Sequence, residues 1–332
     1  MNIFPVSAST LSPQHIALLV QQKYLPEENV TASILKTGIN HTYLVRASDS
    51  KYIFRVYSLN WRTEKEIAEE IKLLNLLKER NIPVSYPVKD TGAVYIQRLA
   101  APEGMRFAVL FSFAAGEKIL QFPAPLHQRA GEIMAELHRI TDKLQLARVH
   151  YTPEILLEQS YTQLLQFLPE NCGEMLFMKS LRLYLYNVFN AAGHKGFRTG
   201  IVHLDIWFDN MSIYNSNSIT LFDFDFCGNG WLCLDIAYYI LQLYSTETDE
   251  NEFLLKRDHF LRGYESVTSI SEEEKKMLPS AGAAIYLFYL GVQCARYDNW
   301  SNVFLNEIYL KRFIMLRVKR WCDFNNMVLP VL

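Results

Sequence analysis

The chain is 332 residues long, half of them apolar and 13% aromatic, with 33 Lys and Arg against 35 Asp and Glu for a formal net charge of −2. That length exceeds the usual single-domain size and predicts two lobes with ample material for a packed core. The near-neutral balance leaves no electrostatic footprint for non-specific nucleic-acid binding, and no uninterrupted apolar run of about eighteen residues offers a membrane span.

Five cysteines without CxxC spacing read as reduced, structural thiols. The N-terminus lacks a basic segment followed by an apolar one, so a cytoplasmic location is expected. Charge is uneven along the chain: residues 1–113 carry a net +3 and residues 114–332 a net −5. A cationic or neutral substrate on the acidic side is compatible with this, although much of the acidity lies in solvated runs such as Glu272-Glu273-Glu274.

Residues 12–25 predict a short helix, with Ser12 as N-cap and Pro13 at the first helical position. From Val30 to Tyr57 the pattern turns to short β-type runs, ASILKT, HTYLVRA and KYIFRVYS, separated by turns at Gly38 and Asp49-Ser50. Glu64 to Arg80 predicts a helix ended by Pro83 and Pro87, and Val94–Leu99 and Met105–Phe113 predict further strands. Residues 114–118, beginning Ala114-Ala115-Gly116-Glu117, break the strand pattern as a hinge. Beyond them helices are predicted at 126–143, 153–168, 174–193, 232–246, 251–266, 272–291 and 303–325, around one short strand pair between 201 and 223. The expected fold class is α+β: an antiparallel-sheet lobe with one main helix over 1–113, and a larger, mainly helical lobe over 119–332.

On the helical wheel of 64–80, Ile67, Ile71, Leu73, Leu74 and Leu77 share one face, and Glu70 falls inside it. A carboxylate on a buried face needs a cationic partner. Arg55 is the partner expected, with Glu66 as the fallback carboxylate. A guanidinium on that strand also suits phosphate oxygens; a half-exposed surface Arg is the plain alternative. The turn Gly38-Ile39-Asn40 lies between two strands, where it is either an ordinary hairpin or a cradle for phosphates.

The stretch 201–240 holds His203, Asp205, Asn210, Asp223, Asp225 and Asp235 among β-forming residues. Strand ends bearing Asp, Asn and Asp can converge hard oxygen ligands of the kind Mg²⁺ takes. His203-Leu204-Asp205 with Asn210 fits H-x-D-x-x-x-x-N, the spacing that puts an Asp at an acceptor hydroxyl and an Asn on a metal, and Asp223 fits the downstream metal-binding Asp. Asp225 is either a further ligand or a supporting carboxylate. His203 reads as structural rather than as a base, His138 as a buried structural residue, and Asp235 as a helix N-cap. The clustered aromatics Tyr238, Tyr239, Tyr286, Phe288 and Tyr289 read as core before they read as a cation-binding box.

With these motifs the chain resembles the aminoglycoside phosphotransferase and choline kinase family, which has a protein-kinase-like fold. Thr220 to Trp231 resembles most its stress-response-kinase-A-like branch. The resemblance implies ATP and Mg²⁺ as cofactors, with Asp205 catalytic. It implies Gly38, Asn40, Arg55 and Glu70 on the nucleotide side, Asn210, Asp223 and Asp225 at the metal, and adenine held by backbone near Leu110–Phe113. It further implies a small-molecule hydroxyl acceptor such as an amino alcohol, sugar or aminoglycoside. A protein Ser/Thr kinase or a nucleotide-binding pseudoenzyme is the alternative. In one place the chain departs from the family: Leu204 stands where the family commonly has Gly, either narrowing the acceptor entrance or packing inward.

Overall fold

A computed structural model describes residues 4–193, 196–215 and 218–331. The first three residues of the N-terminal segment read above, the two at 216–217 within the motif stretch, and Leu332 lie outside them. The chain divides into two compact units, Met1–Ala115 and Gly116–Leu332.

The first unit opens with helix α1 (Pro13–Tyr24), followed by strands β1 (Val30–Thr37), β2 (His41–Ala47) and β3 (Ser50–Val56). Ser12 is the N-cap of α1 but makes no side-chain cap; its hydroxyl turns to Gln14. Helix α2 (Glu64–Glu79) comes next, and then β4 (Pro87–Val88), β5 (Ile96–Ala101) and β6 (Gly104–Ser112). All pairings in this sheet are antiparallel, in the order β1-β2-β3-β6-β4, with β5 also on β6. The alternation of β3 sends Phe54 and Val56 to one face, where they join Tyr43, Val45, Ala108 and Leu110 beneath Ile16 and Val20 of α1. Arg55 points to the opposite face, toward α2. That helix starts with a capping box, Thr63 accepting from the Glu66 amide while the Glu66 carboxylate accepts from the Thr63 amide. The box adds about 1 kcal/mol and commits Glu66, which is therefore not the buried carboxylate.

The second unit holds helix α3 (Ala124–Thr141), a π-helical turn over Glu154–Gln159 that runs into α4 (Ser160–Leu164), and α5 (Gly173–Ala192). Strands β7 (Thr199–Val202), β8 (Met211–Tyr214), β9 (Ser218–Leu221) and β10 (Gly228–Trp231) follow. Helices α6 (Cys233–Thr246), α7 (Glu250–Glu265), α8 (Glu272–Ala295), α9 (Glu307–Phe313) and α10 (Arg320–Phe324) complete it. The expected continuous helix over 303–325 is interrupted by a π-helical stretch at Ile314–Lys319.

The strand pairing corrects the sequence reading. β7 does not pair with the strand before Asp223; it pairs with β10, while β8 pairs with β9. Gly228-Asn229-Gly230-Trp231 does not read as a strand in the sequence because glycines have low strand propensity, yet here they admit close neighbours. Added at Gly228, a Cβ would lie 2.8 Å from the Val149 carbonyl oxygen.

Helices α3 and α7 pack at unusually short range. A Cβ at Gly131 would sit 2.1 Å from the Phe260 carbonyl oxygen, and one at Gly263 would sit 1.9 Å from that of Gln128. Helix α8 runs through the core of the unit, with Ala281, Ala283, Ala284, Ile285, Leu287 and Leu290 fully buried. By length and composition α8 could cross a membrane, but 78% of its apolar window is buried inside the protein, as in a core helix. The five cysteines are free thiols, four of them buried.

Candidate active site

The predicted residues fall into two groups, one in each unit. In the first, Arg55 and Glu70 meet as expected: Nη1 lies 3.0 Å from Oε1, and the Tyr57 hydroxyl donates to Oε2 at 3.0 Å. Glu70 is fully buried and Arg55 7% exposed, with the guanidinium 5.0 Å above the Phe111 ring. A buried pair of this kind adds little net stability over an apolar pair, but it fixes the guanidinium in one place. The Gly38–Asn40 turn is also tied down. The Gly38 amide donates to the Asn40 carbonyl at 3.1 Å, and Ser58, just past β3, donates to the Ile39 carbonyl. Sheet pairing engages β6 through Ser112, whose amide donates to Tyr86.

In the second unit the loop after β7 carries His203, Leu204 and Asp205, and a single 3₁₀ turn, Phe208–Asn210, delivers Asn210. Asn210 Nδ2 donates to Asp205 Oδ2 at 2.7 Å and to the Asp205 carbonyl at 3.0 Å. That orientation turns the amide oxygen of Asn210 away from the carboxylate. The Asn210 carbonyl accepts from the Phe222 amide, tying the turn to the end of β9. There Asp223 adopts a left-handed conformation, φ 65°. Burial pushes the Asp205 carboxyl up to about 8; the Tyr238 hydrogen bond works against this, and the charge of nearby Asp223 adds to it. A divalent cation beside the two carboxylates would reverse that mutual opposition.

His203 is structural, as read from sequence. Its Nε2 faces the Phe222 carbonyl at 3.2 Å and its Nδ1 accepts from the Asp205 amide at 3.1 Å, which assigns the proton to Nε2. Burial lowers its pKa, keeping it neutral. Asp225 is 3% exposed, and Arg148 donates to its carbonyl at 2.5 Å. Among the described residues no three His, Cys, Asp or Glu side chains form a metal cage. Mg²⁺ does not need one, since it binds through one or two carboxylates, waters and substrate phosphates.

Asp235 differs from its expected N-cap role. It lies inside α6, whose N-cap is Leu232. Its carboxylate accepts from the His203 amide at 2.8 Å and the Leu204 amide at 2.6 Å. His138, anchored in turn by the Tyr264 hydroxyl at 2.7 Å, meets the same carboxylate at 3.0 Å. The acid holds the backbone of the His203–Asp205 loop.

Leu204 packs inward: it is fully buried. Its φ of 60° explains why Gly is common at this place in the family, because the left-handed region costs an L-residue roughly 1–2 kcal/mol. Both of its peptide groups are pinned, the amide by Asp235 and the carbonyl by the Tyr289 hydroxyl at 2.9 Å. Removing a buried Leu side chain costs about 3–5 kcal/mol, more than the strain it would relieve. Leu204→Gly is therefore expected to lower the thermal midpoint while the loop keeps its shape. A raised midpoint in a calorimetric scan would show that strain dominates.

Two site residues were missed in the sequence. Tyr238 donates to Asp205 Oδ1 at 2.5 Å, and Tyr289 holds the Leu204 carbonyl. Both look like core aromatics by spacing, and only their hydroxyl partners set them apart.

An H-x-D-x-x-x-x-N loop, with its Asp and Asn hydrogen-bonded to each other and its backbone gripped by a helix acid, is the arrangement expected of a phosphotransferase of protein-kinase-like fold. The sequence model of the phosphotransferase enzyme family matches residues 32–269, and the chain belongs to that family, whose members phosphorylate hydroxyl acceptors. It is 24% identical to a homoserine kinase of Polaromonas naphthalenivorans over 76% of this chain and 78% of that protein. Among solved structures, a microcompartment-associated aminopropanol kinase superimposes with a TM-score of 0.76 at 18% identity, covering 94% of this chain and 96% of the other. Amicoumacin kinase hAmiN, in complex with AMP-PNP, Ca²⁺ and Ami, gives 0.75 at 18% identity, covering 95% of this chain and 94% of the other.

Proposed function

We propose that the protein transfers the γ-phosphoryl group of ATP to the hydroxyl of a small amine-bearing alcohol. The observation that carries this reading is the Asp205 carboxylate, held through both oxygens by Asn210 and Tyr238 beside Asp223. Asp205 orients the acceptor hydroxyl and takes its proton as the new O–P bond forms, while ADP leaves with the electron pair of the broken P–O bond. The Asn210 amide oxygen and the Asp223 carboxylate fit a divalent cation, Mg²⁺ by the hardness of these donors, which would neutralise phosphate charge. Asp225, buried behind them, is read as a supporting carboxylate. Arg55, fixed by Glu70, and the Gly38–Asn40 turn are read as the phosphate-binding groups of the first unit, with Arg55 suited to a planar fork on phosphate oxygens.

Two observations favour a small acceptor. The residues from Asp225 to Asp235 are taken up by a short turn, β10 and the start of α6, leaving no activation loop of protein-kinase length. Homoserine and aminopropanol, the substrates in the names of two similar kinases, both join an amine to a hydroxyl. A coupled ADP-release assay should show turnover with at least one of homoserine, aminopropanol, choline or an aminoglycoside, and none with casein. Millimolar Mg²⁺-ATP should also raise the thermal midpoint, because a ligand at 100 times its Kd adds about 2.7 kcal/mol. Turnover with casein alone, or no shift with nucleotide, would overturn the reading.

A further inference from the structure

We propose that Tyr238 is a positioning residue for phosphoryl transfer, fixing the plane of the Asp205 carboxylate. The proposal rests on the reading of Asp205 as the group that orients the acceptor. An Asp held through one oxygen still rotates about its last side-chain bond; contacts to both oxygens remove that freedom. Here Asn210 Nδ2 takes Oδ2 at 2.7 Å and the Tyr238 hydroxyl takes Oδ1 at 2.5 Å. A carboxylate offers about four lone-pair sites, so these two contacts do not by themselves exhaust it.

Tyr238 is itself held in place. It is buried, 3% exposed, and its ring lies against Tyr289 with centroids 5.5 Å apart. Tyr289 in turn donates to the Leu204 carbonyl, one residue before Asp205. Tyr238 also follows Asp235 by three residues on α6, so the two share one helix face. One acid on that face holds the backbone of the loop, and one phenol a turn later holds its catalytic side chain. A ring needed only for packing has no use for a hydroxyl, whose burial costs free energy unless it is bonded.

The test is a double-mutant cycle on turnover. Tyr238→Phe should lower kcat by about 10- to 10²-fold, the range a misplaced reacting group incurs, with nucleotide affinity and thermal midpoint little changed. If Tyr238 acts through Asp205, the variant carrying both Asp205→Asn and Tyr238→Phe should be no slower than Asp205→Asn alone. Tyr239→Phe serves as the control, since it removes the neighbouring buried hydroxyl, which is bonded to His127 instead; it should leave kcat unchanged. Full-speed Tyr238→Phe, losses that multiply in the double variant, or an equal loss in Tyr239→Phe overturns the proposal. A full-speed Asp205→Asn would overturn the reading of Asp205 and the proposal with it; a slow Asp205→Asn beside a full-speed Tyr238→Phe would overturn the proposal alone.

Discussion

Asp205→Asn is expected to lower kcat by about 10² to 10⁴ while leaving the nucleotide Kd within about twofold of wild type. The amide keeps the shape of the side chain and can still accept from one donor, but it cannot take a proton from the acceptor hydroxyl. The nucleotide affinity is spared because Asp205 is assigned to the acceptor and not to the phosphates. Asp223→Asn should behave differently. It strips a charge from the cation site, so Mg²⁺-ATP affinity and kcat should fall together. The comparison needs steady-state kinetics and a nucleotide titration on both variants. Equal losses of nucleotide affinity, or full activity in Asp205→Asn, would show that the two roles are wrongly divided.

The second large effect falls on stability. Asp235→Ala should destabilise the fold by about 3–5 kcal/mol, because it orphans two buried backbone amides and leaves His138 without its carboxylate. Urea unfolding followed by circular dichroism would read this as a lowered midpoint with little change in slope. Turnover measured well below that midpoint should also fall, because His203 and Leu204 lose the anchor that sets the direction of Asp205. Asp235→Asn retains one acceptor oxygen and should lie between the two. A loss under about 1 kcal/mol in Asp235→Ala would mean that the loop is held by other contacts, the Tyr289 hydroxyl first among them.

Local rules carried much of the reading. The period-two alternation of β3 and the wheel of α2 led to the Arg55–Glu70 pair, because a charge on an apolar face has few ways to be satisfied. The spacing of His203, Asp205 and Asn210 led to a loop in which Asn210 does meet Asp205, because those positions are close in the chain and one turn suffices to join them. What local spacing could not supply were the partners far away in sequence. β7 pairs with β10 across the whole motif, a partner that the low strand propensity of Gly228 and Gly230 conceals.

Asp235 looks like a helix cap because it opens a helix, and only packing turns its carboxylate to amides 31 and 32 residues earlier. Leu204 breaks the family pattern in the sequence. The fold tolerates it because its side chain is buried and both its peptide groups are bonded, which offsets the left-handed φ. Tyr238 and Tyr289 carry the same hydrophobic period as their neighbours. Sequence by itself determined the family and pointed to the candidate groups, because His203, Asp205 and Asn210 are close in the chain. Tertiary structure decided how those groups are held, because each support comes from a helix distant in sequence whose burial pattern looks like ordinary core.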